Sequence, residues 1–294
     1  MLERISVGFD NSPASRSALS WAVGEATLHN ARLTAWTVLG RHPAAAAEVT
    51  QPVAARSAER SLREAAGEIA GAVAADHLIA HGAPAAELVR ASGEADLLVV
   101  GSRGHGALAG LLLGSVTRTC LHSSRCPVAV VPGATGPDRP HRRIVVGVDG
   151  SAGARRALAF AAGEARVHAA TLVAVYTTHW DRVGHGWVQP TTHELLSWGH
   201  HLLDQELADA ALDVPVRPYV VHGHPADVLV RHARNADLLV LGSRGHTALA
   251  DLTLGSVSDH CARHAPCPMV VTPVPARHGG DPGRAGEPGP PGQG

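Results

Sequence analysis

The chain contains no lysine: all 25 basic residues are arginine. A Walker A loop needs a lysine on the β- and γ-phosphates, so that class of ATPase is excluded, as is Schiff-base chemistry through a lysine amine. Charge of either sign is scarcely in excess. The 25 basic residues face 26 acidic ones, for a net charge of -1, so no basic surface points to nucleic acid. No apolar run approaches the ~20 residues that span a bilayer. The N-terminus enters a strand pattern directly, without a signal-peptide pattern. The expectation is a cytoplasmic protein with neither membrane nor nucleic acid as partner.

What is present is a duplication. Arg4-Ile5-Ser6-Val7-Gly8-Phe9-Asp10-Asn11-Ser12 recurs as Arg143-Ile144-Val145-Val146-Gly147-Val148-Asp149-Gly150-Ser151, at an offset of 139. His81-Gly82-Ala83-Pro84 recurs as His222-Gly223-His224-Pro225, and Cys126-Pro127 as Cys267-Pro268, both at 141. A period of half the chain means two domains and not a solenoid. We place domain 1 at 1–133, a Pro/Gly-rich linker at 134–142, domain 2 at 143–275 and a disordered Gly/Pro tail at 276–294. Each copy has room for a core of its own.

Each copy alternates strand and helix patterns. In copy one the strands are read at 4–10, 32–39, 76–81, 96–101 and 127–132, and the helices at 13–29, 54–73, 84–92 and 114–122. Ser12-Pro13 is a helix start, with serine as cap and proline at the first helical position. Leu97–Val100 and Val128–Val131 are unbroken apolar runs, as in strands covered on both faces. Such alternation gives an α/β fold of two tandem doubly wound domains, each with a parallel sheet and helices on both faces. Ligands on such sheets bind beyond the carboxyl ends of the strands.

At those ends lies a repeated glycine pattern. Gly101-x-x-Gly104, nine residues, then Gly114-Ser115 recurs as Gly242-x-x-Gly245, nine residues, then Gly255-Ser256. Each follows a buried strand, and backbone N–H groups there can turn toward an anion. Gly101, Gly104, Gly242 and Gly245 are read as loop bends, and Ser115 and Ser256 as phosphate seats at a helix start or as ordinary N-caps. Arg103 and Arg244 would screen phosphate charge or sit solvated, and His105 and His246, which follow the loop, are candidates to touch phosphate. Gly8 and Gly147 let a ligand approach or pack under a helix. Asp10 and Asp149 serve a ribose or magnesium, or close an Asx-turn.

These residues give a resemblance. From Arg4 to Thr272 the chain resembles the universal stress protein family in its tandem form, whose ATP-binding subgroup is marked by Gly-x-x-Gly-x9-Gly-(Ser/Thr). The resemblance implies a five-stranded sheet of order 3-2-1-4-5 in each domain, with ATP, and with it magnesium, in the crevice. It places Asp10 and Asp149 near adenosine and ribose, and gives adenine a backbone contact at Val38 and, less closely matched, Thr177. It sets the phosphates against Gly101, Ser102, Arg103, Gly104, Gly114, Ser115 and Val116, and in copy two against Gly242, Ser243, Arg244, Gly245, Gly255, Ser256 and Val257. It also implies pairing of domains through the last strands, within one chain or between two.

The implied function is an ATP-binding stress-response regulator with an unidentified protein partner, not an enzyme of high turnover. No catalytic residue and no metal ligand is assigned, and ATP hydrolysis is expected to be slow at most. Two alternatives stand beside it: a nucleotide-independent interaction scaffold, and a metal or redox sensor built on Cys120, Cys126, Cys261 and Cys267 with His122, His260 and His264. An adenylate-forming enzyme is disfavoured because Gly8–Ser12 lacks the glycine pair of such loops. The His/Trp-rich segment 178–201, which stands where copy one has Ala44–Ala47, is read as covering or altering the second site.

Overall fold

A computed structural model describes residues 1–40, 44–67, 75–104, 113–133, 142–178, 191–245 and 254–274. The sequence-predicted linker, apart from Arg142, and the tail from 276 lie outside these residues.

The first half runs β1 (Arg4–Gly8), α1 (Pro13–His29), β2 (Arg32–Leu39), α2 (Ala44–Gly67), β3 (Ala75–His81), α3 (Pro84–Ala91), β4 (Leu97–Gly101), α4 (Ser115–Ser123) and β5 (Val128–Val131). The second half repeats it as β6 (Arg143–Val148), α5 (Ala152–Val167), β7 (Thr171–Thr178), α6 (Thr192–Ala210), β8 (Val216–His222), α7 (Pro225–Ala233), β9 (Leu238–Gly242), α8 (Ser256–His264) and β10 (Met269–Thr272). Three sequence-based boundaries shift. Helix α2 begins at Ala44, so the alanine stretch is helix and not loop. Strand β1 stops at Gly8 instead of Asp10, because the Ser12 N–H donates to Asp10 Oδ1 (3.0 Å) and Asn11 turns to φ 67°. Gly150 takes the same left-handed turn in copy two at φ 80°, which glycine accepts at no steric cost. Segment 192–201 belongs to helix α6, which starts on a Thr191/Glu194 capping box and packs on β7 and β8. Its described part is therefore a wall of the domain rather than a cover; residues 179–190 lie outside the described ones.

The ten strands form one sheet in the order β3-β2-β1-β4-β5-β10-β9-β6-β7-β8. Pairing is parallel within each half, and β5 meets β10 antiparallel, Ala129 opposite Val270. The pairing of last strands thus occurs inside the chain, which occupies the edges a second chain would need. Alternate strand residues enter two layers. Val7, Leu97, Val99, Ala129 and Val270 pack with α1, α5 and α6, while Leu98, Val100, Val130 and Met269 pack with α3, α4, α7 and α8. Each layer draws on both halves, so the two domains share a continuous core. Ser12 and Ser151 cap α1 and α5 by accepting from the Ser15 and Ala154 N–H groups (3.3 and 3.1 Å).

All four cysteines are free and buried in the second layer. Burial pushes each thiol up to about 12, which suppresses the thiolate that redox or metal chemistry requires. None of them belongs to a group of metal-ligating side chains among the described residues. These are packing residues, and the cysteine-based sensor has no chemical footing.

Candidate functional site: two equivalent cavities

Strands β1 and β4 are neighbours (Val7 opposite Val99), as are β6 and β9 (Val146 opposite Val240). Chain leaves β1 toward α1 and leaves β4 toward α4, and a cavity of about 380 Å³ opens where they diverge. Its counterpart above β6 and β9 is about 360 Å³. Both fall within the roughly 300–1,000 Å³ that small-molecule sites occupy.

Most sequence-predicted residues converge on these walls. In copy one the strand ends bring Gly8, Asp10 and Val38, the loop brings Gly101, Arg103 and Gly104, and α4 brings Gly114, Ser115 and Val116. In copy two the strand ends bring Gly147, Asp149 and Thr177, the loop brings Gly242, Arg244 and Gly245, and α8 brings Gly255, Ser256 and Val257. Two predicted residues turn away. Ser102 lines a separate cleft against α8, and Ser243 Oγ accepts from the Val274 N–H (3.1 Å). His105 and His246 lie outside the described residues.

The glycines serve purposes other than bending. A Cβ on Gly101 would lie 2.7–2.9 Å from backbone atoms of Ala14 and Ser15, and one on Gly242 2.6–3.0 Å from those of Gly153 and Ala154. Glycine there lets the first turn of α1 or α5 sit on the strand end. A Cβ on Gly104 would lie 2.5 Å from Asp10 Oδ2, and one on Gly245 would strike Asp149 Oδ2. The loop thus presses its backbone against the carboxylate that faces the cavity. Gly8 and Gly147 abut Leu88 Cδ1 (2.9 Å) and Leu241 Cδ2 (2.6 Å), so the packing reading holds for them beside their place on the wall. Only Gly114 and Gly255 have ordinary space, with nearest atoms at 3.5 and 3.4 Å.

Helices α4 and α8 start on those two glycines and not on serine caps. Gly114 and Gly255 are the N-cap residues, and neither helix has a side-chain cap bond. The first N–H groups of each helix, with the positive end of its dipole, therefore border the cavity without a side chain to satisfy them. Thr117 Oγ1 donates to the Gly101 carbonyl and Ser258 Oγ to the Gly242 carbonyl, both at 2.7 Å, which pins each helix start to its strand end. Sequence reading passed over this hydroxyl; its signal was a Thr/Ser two residues after each Gly-Ser pair.

The apolar end of each cavity was also missed. Trp36 and Leu88 line the first, and Tyr176 and Leu229 the second. Trp36 is held by a bond from its Nε1 to Ser6 Oγ (3.3 Å) and carries the Arg90 guanidinium 5.4 Å over its ring. Burial and the charge of Asp149 raise the pKa of Tyr176, so it presents a neutral phenol. Each cavity is apolar at one end and ringed by backbone N–H groups, a carboxylate and an arginine at the other. That arrangement suits a ligand with a flat ring and an anionic tail.

Comparison with known proteins agrees with this architecture. The model of the universal stress protein family matches residues 1–132 and again 140–273. A universal stress protein of Mycolicibacterium smegmatis is 34% identical over 284 residues, covering 91% of this chain and 96% of that one. Universal stress protein Rv2005c of Mycobacterium tuberculosis is 33% identical over 290 residues, covering 90% and 95%. In fold, a crystal structure of a universal stress protein from Archaeoglobus fulgidus aligns with a TM-score of 0.71 at 23% identity, over 92% of this chain and 98% of that one. The chain belongs to the universal stress protein family and carries two copies of its domain in tandem.

Proposed function

We propose that each half, 1–133 and 143–275, binds one ATP with magnesium, and that the protein is a cytoplasmic stress-response regulator acting through a protein partner. The observation that carries this reading is the pair of helices, α4 and α8, that begin on glycine at a cavity wall with no side-chain cap. The phosphates would take the N–H groups of Gly114–Val116 and Gly255–Val257, with Arg103 and Arg244 beside them. Adenine would lie toward Trp36 or Tyr176, meeting backbone at Val38 or Thr177. Asp10 and Asp149 would serve the ribose or the magnesium shell.

Rapid turnover does not follow from such a site. Asp10 and Asp149 are the only carboxylates on the described walls, and each already accepts an N–H, from Ser12 and Ser151 (both 3.0 Å). Neither is placed as a base against a nucleophile. Occupancy, not chemistry, is then the signal. Calorimetric titration of nucleotide-free protein with ATP and magnesium should give about two sites per chain. A folded sample that binds none would refute the reading, and hydrolysis at many turnovers per second would refute its regulatory part.

A further inference from the structure

Between the two domains, away from both cavities, helices α1 and α5 bury four ionisable side chains against one another. Glu25 and His29 stand one turn apart on α1; Glu164 lies in the last turn of α5 and His168 caps its end. Their side chains are 1–5% exposed. His29 Nε2 lies 3.2 Å from Glu164 Oε2 and 3.7 Å from Glu25 Oε2. His168 Nε2 lies 3.0 Å from Glu25 Oε2 and 3.6 Å from Glu164 Oε2. The same four atoms recur in all four distances, and the four residues can each offer one ligand atom within 4.8 Å of the others. Two of these contacts are hydrogen bonds and two are longer, yet each carboxylate oxygen stands within 4 Å of both imidazoles.

We propose that Glu25, His29, Glu164 and His168 form a closed divalent-metal site, zinc by preference, that staples the two domains together. Zinc binds imidazole nitrogen and carboxylate oxygen at about 2.0–2.2 Å in a tetrahedron, whose edges are then about 3.3–3.6 Å. Four of the six edges here, the His–Glu ones at 3.0–3.7 Å, bracket that value, and the remaining two lie within 4.8 Å. Charge agrees with geometry. A dication neutralises two buried carboxylates and leaves both imidazoles neutral, whereas an unpaired buried charge is costly. The set has two nitrogens, two oxygens and no thiolate, which suits zinc among the divalent metals that bind imidazole.

One contact must change on loading. The Leu2 N–H donates to His29 Nδ1 (3.2 Å), which puts the ring proton on Nε2, facing Glu164. A metal on Nε2 displaces that proton and requires one on Nδ1. Inverting the Met1–Leu2 peptide, which precedes the anchoring bonds from the Glu3 and Arg4 N–H groups to Asp96 Oδ2 (both 2.9 Å), would offer the Met1 carbonyl to it. Inversion would supply the acceptor that a metal-bound imidazole ordinarily has behind it.

The test uses the full chain, stripped with a chelator and titrated with zinc and with cobalt(II). The expected result is one metal per chain by elemental analysis, a tetrahedral cobalt spectrum without thiolate charge-transfer bands, and a rise in melting temperature. In Glu25→Gln, which keeps the size and a hydrogen-bonding oxygen, metal affinity should fall more than about 100-fold while ATP binding stays unchanged. Failure of the stripped protein to bind zinc at micromolar concentration overturns the proposal and leaves protons to hold the quartet. So does binding that Glu25→Gln leaves intact, which would assign the metal to surface histidines such as the stacked His260 and His264. If Glu25→Gln does not fold, the wild-type spectrum decides: a tetrahedral one supports the site, and an octahedral one overturns it.

Discussion

The glycines of the repeated motif should fall into three classes when replaced by alanine. Gly101 meets backbone: a Cβ there stands 2.7–2.9 Å from Ala14 and Ser15 main-chain atoms, against an ordinary limit of 3.4 Å. Those atoms belong to the first turn of a buried helix and cannot swing aside, so strand end and helix must separate by about half an ångström. Overpacking of this kind costs about 1–3 kcal/mol. We place Gly101→Ala and Gly242→Ala near the upper end, a fall in melting temperature of roughly 5–10 °C for a unit of this size. Gly104→Ala meets only the tip of Asp10. The carboxylate can rotate away, forfeiting its bond from the Ser12 N–H, for about 1 kcal/mol. If Asp10 serves ATP as proposed, the main effect should be on ATP affinity. Gly114→Ala meets nothing nearer than 3.5 Å and should cost under about 1 kcal/mol, the difference between glycine and alanine as N-cap. If the proposed site holds, a methyl at this helix start, beside Arg103 and Thr117, should lower ATP affinity in that half. Urea unfolding without nucleotide, paired with calorimetric ATP titration, separates the classes. Wild-type stability in Gly101→Ala would refute the packing argument for that glycine.

Other consequences follow from the same geometry. The four thiols should resist a disulfide reagent at pH 8 in the native state and all react in denaturant; rapid native labelling would contradict their burial. Because their folded pKa values lie near 12 and unfolded thiols ionise near 8.5, stability is retained below about pH 8.5 and lost as pH rises toward 12. Urea midpoints at pH 8 and pH 10 test the sign. Asp149→Asn should lower the pKa of Tyr176 by removing the negative charge beside it, read by ultraviolet titration; an unchanged value would place the two groups apart. Val270→Asp sets an unpaired charge opposite Ala129 at the junction of the halves and should cost more than about 3 kcal/mol, with both halves melting together. Separate transitions in that variant would mean that the halves are stable apart. Thr191→Ala removes one member of the α6 capping box and should cost about 1 kcal/mol in thermal unfolding.

Much of this architecture is legible in the residues because the chain states it twice. Ser12-Pro13 announced α1, and the apolar runs Leu97–Val100 and Val128–Val131 announced central strands, since a strand covered on both faces leaves no room for polar alternation. Boundaries set by side-chain bonds were harder. Asp10 reads as the end of a strand until its bond with the Ser12 N–H is known, and Ala44–Ala47 reads as low complexity although alanine is the strongest helix former. At the site, residue types with phosphate chemistry were found, whereas Trp36, Leu88, Tyr176 and Leu229 were not. An apolar residue on a cavity wall has the same signature as one in the core, and the two differ only by what stands opposite in space. The role of Gly101 was likewise hidden. Its partner is the backbone of Ala14, and backbone leaves no mark in a sequence.

The same duplication explains why the interdomain quartet escaped notice. Glu25 and His29 repeat as Glu164 and His168 at the offset that the first strands share. Within one copy the pair is only a Glu-x3-His on a helix, ordinary and sufficient for nothing. A second pair becomes a partner only if α1 and α5 face each other, and that follows from the antiparallel meeting of β5 with β10, which places like surfaces of the two halves in contact. Pseudo-twofold pairing therefore does two things at once. It directs the two cavities to separate places on one sheet, and it brings equivalent residues of both halves to a shared axis, where each copy supplies half of the quartet. A repeat that conserves polar residues inside an apolar helix face is the sequence signal for such an axis. Here the signal is the burial of Glu25 and Glu164 among the alanines of α1 and α5, in a layer built largely from apolar side chains.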